Sequence, residues 1–254
     1  MDIIECLLSA FPPYSEDMKI DLSQPAGRFQ WFLASVLFGA RISERIAFKT
    51  YMAFQEAGID TPEKILSAGW DELVRILDAG GYVRYDFSTA TKLIDIMSVL
   101  LERYGTLEGL YQQSRDTVDL ENRLEEFKGI GPVTAQIFLR EMRGVWDINQ
   151  DVSEKALEMA KWLGIDLGKF SGEKLSRAET ALIKLYLRYC KKKRCSECPL
   201  VECPKRASPA KILENGCNRA IDAPASWQNN GNGTALIHKF YLLKPYNPKE
   251  KDFL

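Results

Sequence analysis

Four cysteines fall within fourteen residues, Cys190, Cys195, Cys198 and Cys203, in the spacing C-x4-C-x2-C-x4-C. Thiolates grouped this tightly serve as ligands of zinc or of iron–sulfur clusters. In a chain read as intracellular, the grouping argues for ligation rather than disulfides. A four-cysteine zinc site usually pairs two C-x2-C steps. Here there is one such step with a single cysteine on each side, which favours a [4Fe–4S] cluster, with zinc as the alternative. Cys6 and Cys217 lie far outside the group. Between Lys184 and Arg206 the chain carries Lys184, Arg188, Lys191, Lys192, Lys193, Arg194, Lys205 and Arg206 against Glu197 and Glu202, a local excess of six positive charges in a chain whose net charge is −1. A basic patch beside the cysteines is read as an electrostatic footprint for a polyanion.

A second chemical feature is Lys128-Gly129-Ile130-Gly131-Pro132-Val133-Thr134-Ala135. Two glycines one residue apart separate two helical patterns. The first can hold a left-handed conformation, and both allow close backbone approach. Pro132 suits the first position of the following helix, where a missing N–H costs little. The free N–H groups at that helix start, with the helix dipole, form an anion site. A DNA phosphate fits such a site, which reads no base sequence.

Other chemistries are excluded by what is scarce. The chain has one histidine, His238, so a Ser-His-Asp triad or a multi-histidine metal site would have to run through a single residue near the C-terminus. No apolar run approaches the length of about 18 residues needed to span a membrane. The acidic start Met1-Asp2-Ile3-Ile4-Glu5 lacks a basic signal-peptide region. An intracellular protein, in cytoplasm or nucleoid, is expected.

The elements that must position these residues are helical throughout. Helices are predicted from Ile3 to Phe11, stopped by Pro12-Pro13, and on both sides of a break at Gly39-Ala40-Arg41-Ile42-Ser43, with Ser43 as cap. Thr61-Pro62-Glu63 opens a short helix, and another runs from Asp71 to Asp78 before Gly80-Gly81. Further helices are predicted over Phe87–Tyr104, Leu120–Phe127, Val133–Arg143, Val152–Leu163 and Ser176–Cys190. Gly144 to Ile148 reads as a loop, and Thr234 to Leu243 as a strand or ordered tail after the turn-rich Asn229-Asn230-Gly231-Asn232-Gly233.

With 254 residues, this order of motifs resembles the helix-hairpin-helix DNA glycosylase superfamily, most of all its endonuclease III branch, over roughly residues 25–206. In that family a hairpin of the form L-P-G-[IV]-G-x-x-T-A is followed, twenty residues after its last glycine, by an essential aspartate. Here Phe127 to Ala135 matches the hairpin, Asp151 stands at that distance, and four cysteines close the domain. The resemblance implies an all-α, two-lobed fold with a cluster-bearing loop. One lobe would span 28–140, the second 1–27 plus 141–206, with 207–254 as a C-terminal extension. It implies a monomeric base-excision enzyme acting on double-stranded DNA that contains a damaged or mismatched base, with no membrane partner. Asp151 would be the catalytic carboxylate at the start of the helix Val152–Leu163, where the dipole favours negative charge. Asp147, four residues upstream, is the rival for that role. Gly129, Ile130, Gly131, Val133, Thr134 and Arg41 would meet the DNA. Tyr82 would line the base pocket or belong to the core.

Departures from the family pattern refine the expectation. The usual cluster spacing is C-x6-C-x2-C-x5-C, so both outer loops are shorter here. The family's V-D-[TG]-[HN] is Gln150-Asp151-Val152-Ser153. Bifunctional members place a nucleophilic lysine two residues after the last hairpin glycine, where this chain has Val133. Valine cannot form a Schiff base with the sugar, so base removal with little or no lyase activity is expected. A non-catalytic, damage-recognising protein on the same fold is the alternative.

Overall fold

The computed structural model describes residues 3–200 together with Cys203. Among these residues every regular element is a helix: α1 (Ile3–Ala10), α2 (Tyr14–Asp17), α3 (Pro25–Phe38), α4 (Glu44–Glu56), α5 (Pro62–Gly80), α6 (Asp86–Val99), α7 (Leu107–Gln113), α8 (Thr117–Glu125), α9 (Pro132–Met142), α10 (Glu154–Leu163) and α11 (Gly172–Leu185). No helix among them is long and apolar enough to cross a membrane. Thr234 to Leu243 and the extension after residue 206 lie outside the described residues.

Side-chain oxygens define the helix starts. Ser43 accepts from the Ile46 N–H and Thr61 from the Lys64 N–H, both at 3.3 Å, so each satisfies a donor that the first turn leaves free. The two short helices expected over 61–78 form one element, α5, with a break at Gly69, whose φ of 75° and ψ of 171° only glycine holds cheaply. The long helix expected over 87–104 ends in a π-helical turn, Leu100–Tyr104. The one expected over 176–190 starts four residues earlier and ends in a second, Tyr186–Cys190.

Two hydrophobic cores divide the chain. The first gathers Tyr14, Trp31, Phe32, Phe127, Phe138 and Trp146 among many aliphatic residues from Tyr14 to Trp146. The second joins α1 and Phe11 to α10, α11 and Leu200. Phe11 thus packs in the second core and Tyr14 in the first. The reason is α2. Tyr14 stacks on Trp31 and leans on Phe38, and the Glu141 carboxylate accepts the Tyr14 and Ser15 N–H groups at 2.8 and 2.9 Å.

Charge bridges the junction. The Lys184 side chain is fully buried, with Nζ 2.8 Å from Asp17 Oδ2, 4.1 Å from the Tyr14 ring centroid, and donating to the Pro12 carbonyl. Burial pushes its amine below the ordinary lysine value, partly offset by Asp17. Arg188 pairs with Glu44 at the start of α4 and with Asp17. Two of the eight cations counted in the basic segment are thus internal ion pairs.

Candidate functional site

The hairpin is built from the end of α8, Phe127 and Ile130 in the core, and the start of α9. Gly129 has φ +90°, and the Ile130 N–H closes the turn on the Phe127 carbonyl at 2.9 Å. A Cβ on Gly129 would lie 2.5 Å from Cδ of Lys92, whose stem runs along the turn. Glycine is therefore favoured here by the backbone conformation, and any side chain would have to displace the Lys92 stem. Gly131 is the N-cap of α9 and meets nothing where a Cβ would stand, so this face of the turn is open. With no side chain to cap it, the first turn of α9 keeps its N–H groups for an incoming anion. Lys92 is half-buried on α6, and burial pushes its amine below the ordinary lysine value.

The side chains expected to meet DNA are not equally placed. Val133 is 65% exposed, on the first turn of α9. Ile130 and Thr134 are buried, so these two residues offer only backbone to a ligand. Thr134 instead seats the hairpin: a Cβ on Gly39, at the end of α3, would collide with its hydroxyl. Arg41 is exposed in the connection that follows. Tyr82 is a core residue, 1% exposed, with its hydroxyl donating to the Leu37 carbonyl at 2.7 Å. It packs within the first core.

Asp151 lies in the connection between α9 and α10. Its exposed carboxylate makes no hydrogen bond or ion pair with the described residues. The helix expected from Val152 begins at Glu154, with Ser153 as N-cap. Asp151 is thus two residues outside the cap, where the dipole contributes little.

A buried clamp holds Asp151. Arg143 donates to the Gln150 and Asp151 carbonyls, each at 3.0 Å, and to the Glu179 carboxylate. Glu179 also accepts the Ser153 N–H at 2.9 Å and pairs with Arg140 at 3.4 Å. Burial pushes Glu179 up, but Arg140, Arg143 and these hydrogen bonds outweigh it and hold the carboxyl below the ordinary glutamate value. Local sequence gives no sign of this clamp, since Arg143 and Glu179 are 36 positions apart.

Asp147 is placed differently. Its N–H donates to the Tyr111 hydroxyl at 3.0 Å, and it borders a small pocket with Arg115, Asp116 and Thr117 that includes neither Asp151 nor the hairpin.

Cys190, Cys195, Cys198 and Cys203 line one open cavity of about 640 Å³, together with Trp162, Tyr186 and Leu200. The π-helical turn Tyr186–Cys190 carries the first of them. Lys193, at φ 55°, reverses the chain behind it. Burial and the charges of the other three thiols push the Cys190 thiol up to about 11. Among the described residues, no three His, Cys, Asp or Glu side chains are gathered as ligands of a single metal ion. Lys191, Lys192, Lys193 and Arg194 are exposed beside the cavity, Arg194 facing Glu197 at 3.4 Å.

No protein-family model matches the sequence, and no curated protein matches it. Among solved structures, the chain is similar to the crystal structure of H. pylori 3-methyladenine DNA glycosylase (MagIII) bound to 1,N6-ethenoadenine. The identity is 17% and the TM-score 0.47, over 76% of this chain and 99% of that one. At this level the likeness carries no functional weight.

Proposed function

We propose that this protein is a DNA glycosylase that removes a damaged or mismatched base from double-stranded DNA by hydrolysing its N-glycosidic bond. One observation carries the reading. The open hairpin and the arginine that holds the Asp151 carbonyl lie at opposite ends of one helix, α9. That helix has eleven residues, about 16 Å of rise. A phosphate anchored at Gly129–Gly131 and the Asp151 backbone held by Arg143 are thereby related through a rigid rod.

The chemistry follows from the carboxylate. A base must leave the stack to be reached, and extrusion is cheapest for damaged or mismatched pairs. As the bond to the base lengthens, the sugar gains oxocarbenium character. A carboxylate beside it stabilises that charge and can orient the attacking water. Water adds across the cleaved bond, its oxygen to C1′ and a proton to the departing base. Arg143 and Glu179 hold the backbone of Asp151 so that the carboxylate needs little reorganisation. Val133 has no amine with which to attack C1′, so strand cleavage by elimination is weak or absent in this reading.

The four cysteines fit a metal group as donors: they surround one cavity, and their mutual repulsion as thiolates calls for a cation between them. Their spacing, one C-x2-C step with a single cysteine on each side, favours a [4Fe–4S] cluster over zinc. Cys190, Cys195, Cys198 and Cys203 would hold it, and it would brace the segment that presents Lys191 to Lys193 to the phosphate backbone. Broad visible absorbance with equal iron and sulfide content supports this assignment, and a colourless protein retaining zinc overturns it.

The test of the activity is base release from duplexes carrying a panel of lesions and mismatches, with and without alkaline cleavage of the product. Base release that requires alkali for strand scission, and that Asp151→Asn abolishes while duplex binding persists, is the expected result. Equal release by both proteins removes Asp151 from the chemistry. Duplex binding without release from any substrate leaves the damage-recognition role instead.

A further inference from the structure

The chain from Asp147 to Ser153 has no regular structure, so its backbone groups must find partners outside a helix. Side chains from four helices supply them. Arg143 and Glu179, at the end of α9 and on α11, hold the rear half through the Gln150 and Asp151 carbonyls and the Ser153 N–H. The front half is held by α7 and α8. The Asp147 N–H donates to the Tyr111 hydroxyl at 3.0 Å, and the Asn149 N–H donates to the Thr117 hydroxyl at 2.9 Å. Between them the Ile148 N–H bonds back to the Trp146 carbonyl at 3.0 Å.

Both hydroxyls are themselves well placed to act as fixed points. The Tyr111 ring lies on Trp146, with centroids 4.6 Å apart and 3° between the planes, and Phe138 meets Trp146 edge-on from the core. Trp146 is 6% exposed, so this stack is anchored. Thr117 opens α8, but the Asp116 carboxylate caps that helix by accepting the Asp119 N–H. The Thr117 hydroxyl is thereby left for the loop.

We infer that Tyr111 and Thr117 are positioning residues for Asp151, the front pair of a four-point mount whose rear pair is Arg143 and Glu179. The inference rests on the base-release role of Asp151. Its carboxylate is aimed by its backbone, since it makes no hydrogen bond or ion pair with the described residues. Asn149, the last front attachment, is two residues before it. A segment held only at the rear keeps backbone freedom over 147–149, and that freedom must be given up each time the carboxylate meets the sugar. Held at both ends, the segment has little left to lose. The hairpin that anchors the duplex is at the other end of α9, so the front pair bears on the rate of base release and not on duplex affinity.

Two measurements test the inference on the intact protein. Tyr111→Phe and Thr117→Val each remove one hydroxyl at nearly constant volume, so the Trp146 stack and the α8 cap are kept. In single-turnover base release each is expected to fall about twofold to tenfold, the worth of one hydrogen bond, with the duplex dissociation constant unchanged. Thr117→Ser returns the hydroxyl and is expected to recover the rate. In amide hydrogen exchange of the free protein, 147–151 is expected to exchange faster in Tyr111→Phe and Thr117→Val, while α9 and α11 exchange as in the wild type. A wild-type rate in either variant overturns the inference for that residue, as does a rate loss matched by a loss of duplex affinity. Exchange that is unchanged, or faster throughout the chain, overturns it as well. If the wild type releases no base at all, the glycosylase reading fails, and hydrogen exchange alone still decides whether the two hydroxyls hold the segment.

Discussion

Replacing Glu179 by glutamine tests whether the clamp beneath Asp151 is as important as its burial implies. The Glu179 side chain is 0% exposed, and its partners Arg140 and Arg143 are 6% and 2% exposed. The substitution keeps shape and one acceptor but leaves two buried guanidinium groups without a counter-charge. Removing one partner of a buried pair costs about 3–5 kcal/mol. The retained acceptor places Glu179→Gln near the low end, about 3 kcal/mol. Native stabilities are about 5–15 kcal/mol, so this is a large share, and it corresponds to a fall in Tm of about 6–12 °C for a chain of this size. The pH dependence has a definite sign. The folded-state carboxyl is held below its ordinary value. Its contribution is therefore fully present above the unfolded glutamate value of about 4.3 and is lost as pH falls through the lower folded value. Urea unfolding at pH 7 should show the full difference between the two proteins, and the difference should shrink below about pH 4. A cost under about 1 kcal/mol at pH 7, or a gap that stays constant on acidification, would refute the reasoning.

Other substitutions probe the hairpin and its supports. Gly129→Ala should weaken duplex retention and destabilise the fold by about 1–2 kcal/mol, because a side chain at φ +90° is strained and Lys92 must move; unchanged binding and stability would remove the positive-φ argument. Gly39→Ala forces α3 away from Thr134 and should cost about 1–3 kcal/mol as overpacking, read by thermal melting. Val133→Lys, at a 65% exposed position, should leave stability within about 0.5 kcal/mol and create a borohydride-trappable adduct with product DNA; absence of trapping would mean that this position does not face the sugar.

The sequence made legible what local chemistry dictates. Ser43 and Thr61 cap the helices they were expected to cap, and Gly129 takes the left-handed turn read from its place between two helical patterns. The four cysteines singled out by their spacing line one cavity. What stayed hidden depends on partners distant in the chain. Arg143 and Glu179 read as ordinary helix charges until α9 and α11 meet. Lys184 and Arg188 were counted in the basic patch beside the cysteines, yet one is buried and both are ion-paired, because α11 faces the junction between the cores. Helix α7, with two buried leucines in seven residues, is too short for its periodicity to stand out. Tyr82 carried no local mark to separate a core tyrosine from a pocket tyrosine; only its bond to Leu37 does so.

The division of the cores also sets an order on synthesis. Helix α1 leaves the ribosome before its partners, for the apolar face of Ile4, Leu7 and Phe11 belongs with α10 and α11, which are made about 150 residues later, tens of seconds at the slower translation rates. The first core, from Tyr14 to Trp146, has all its members earlier and can close around the hairpin while α1 is still uncovered. Helix α1 is covered only after that core has closed, and during that interval it is a greasy, unpartnered strip suited to a chaperone.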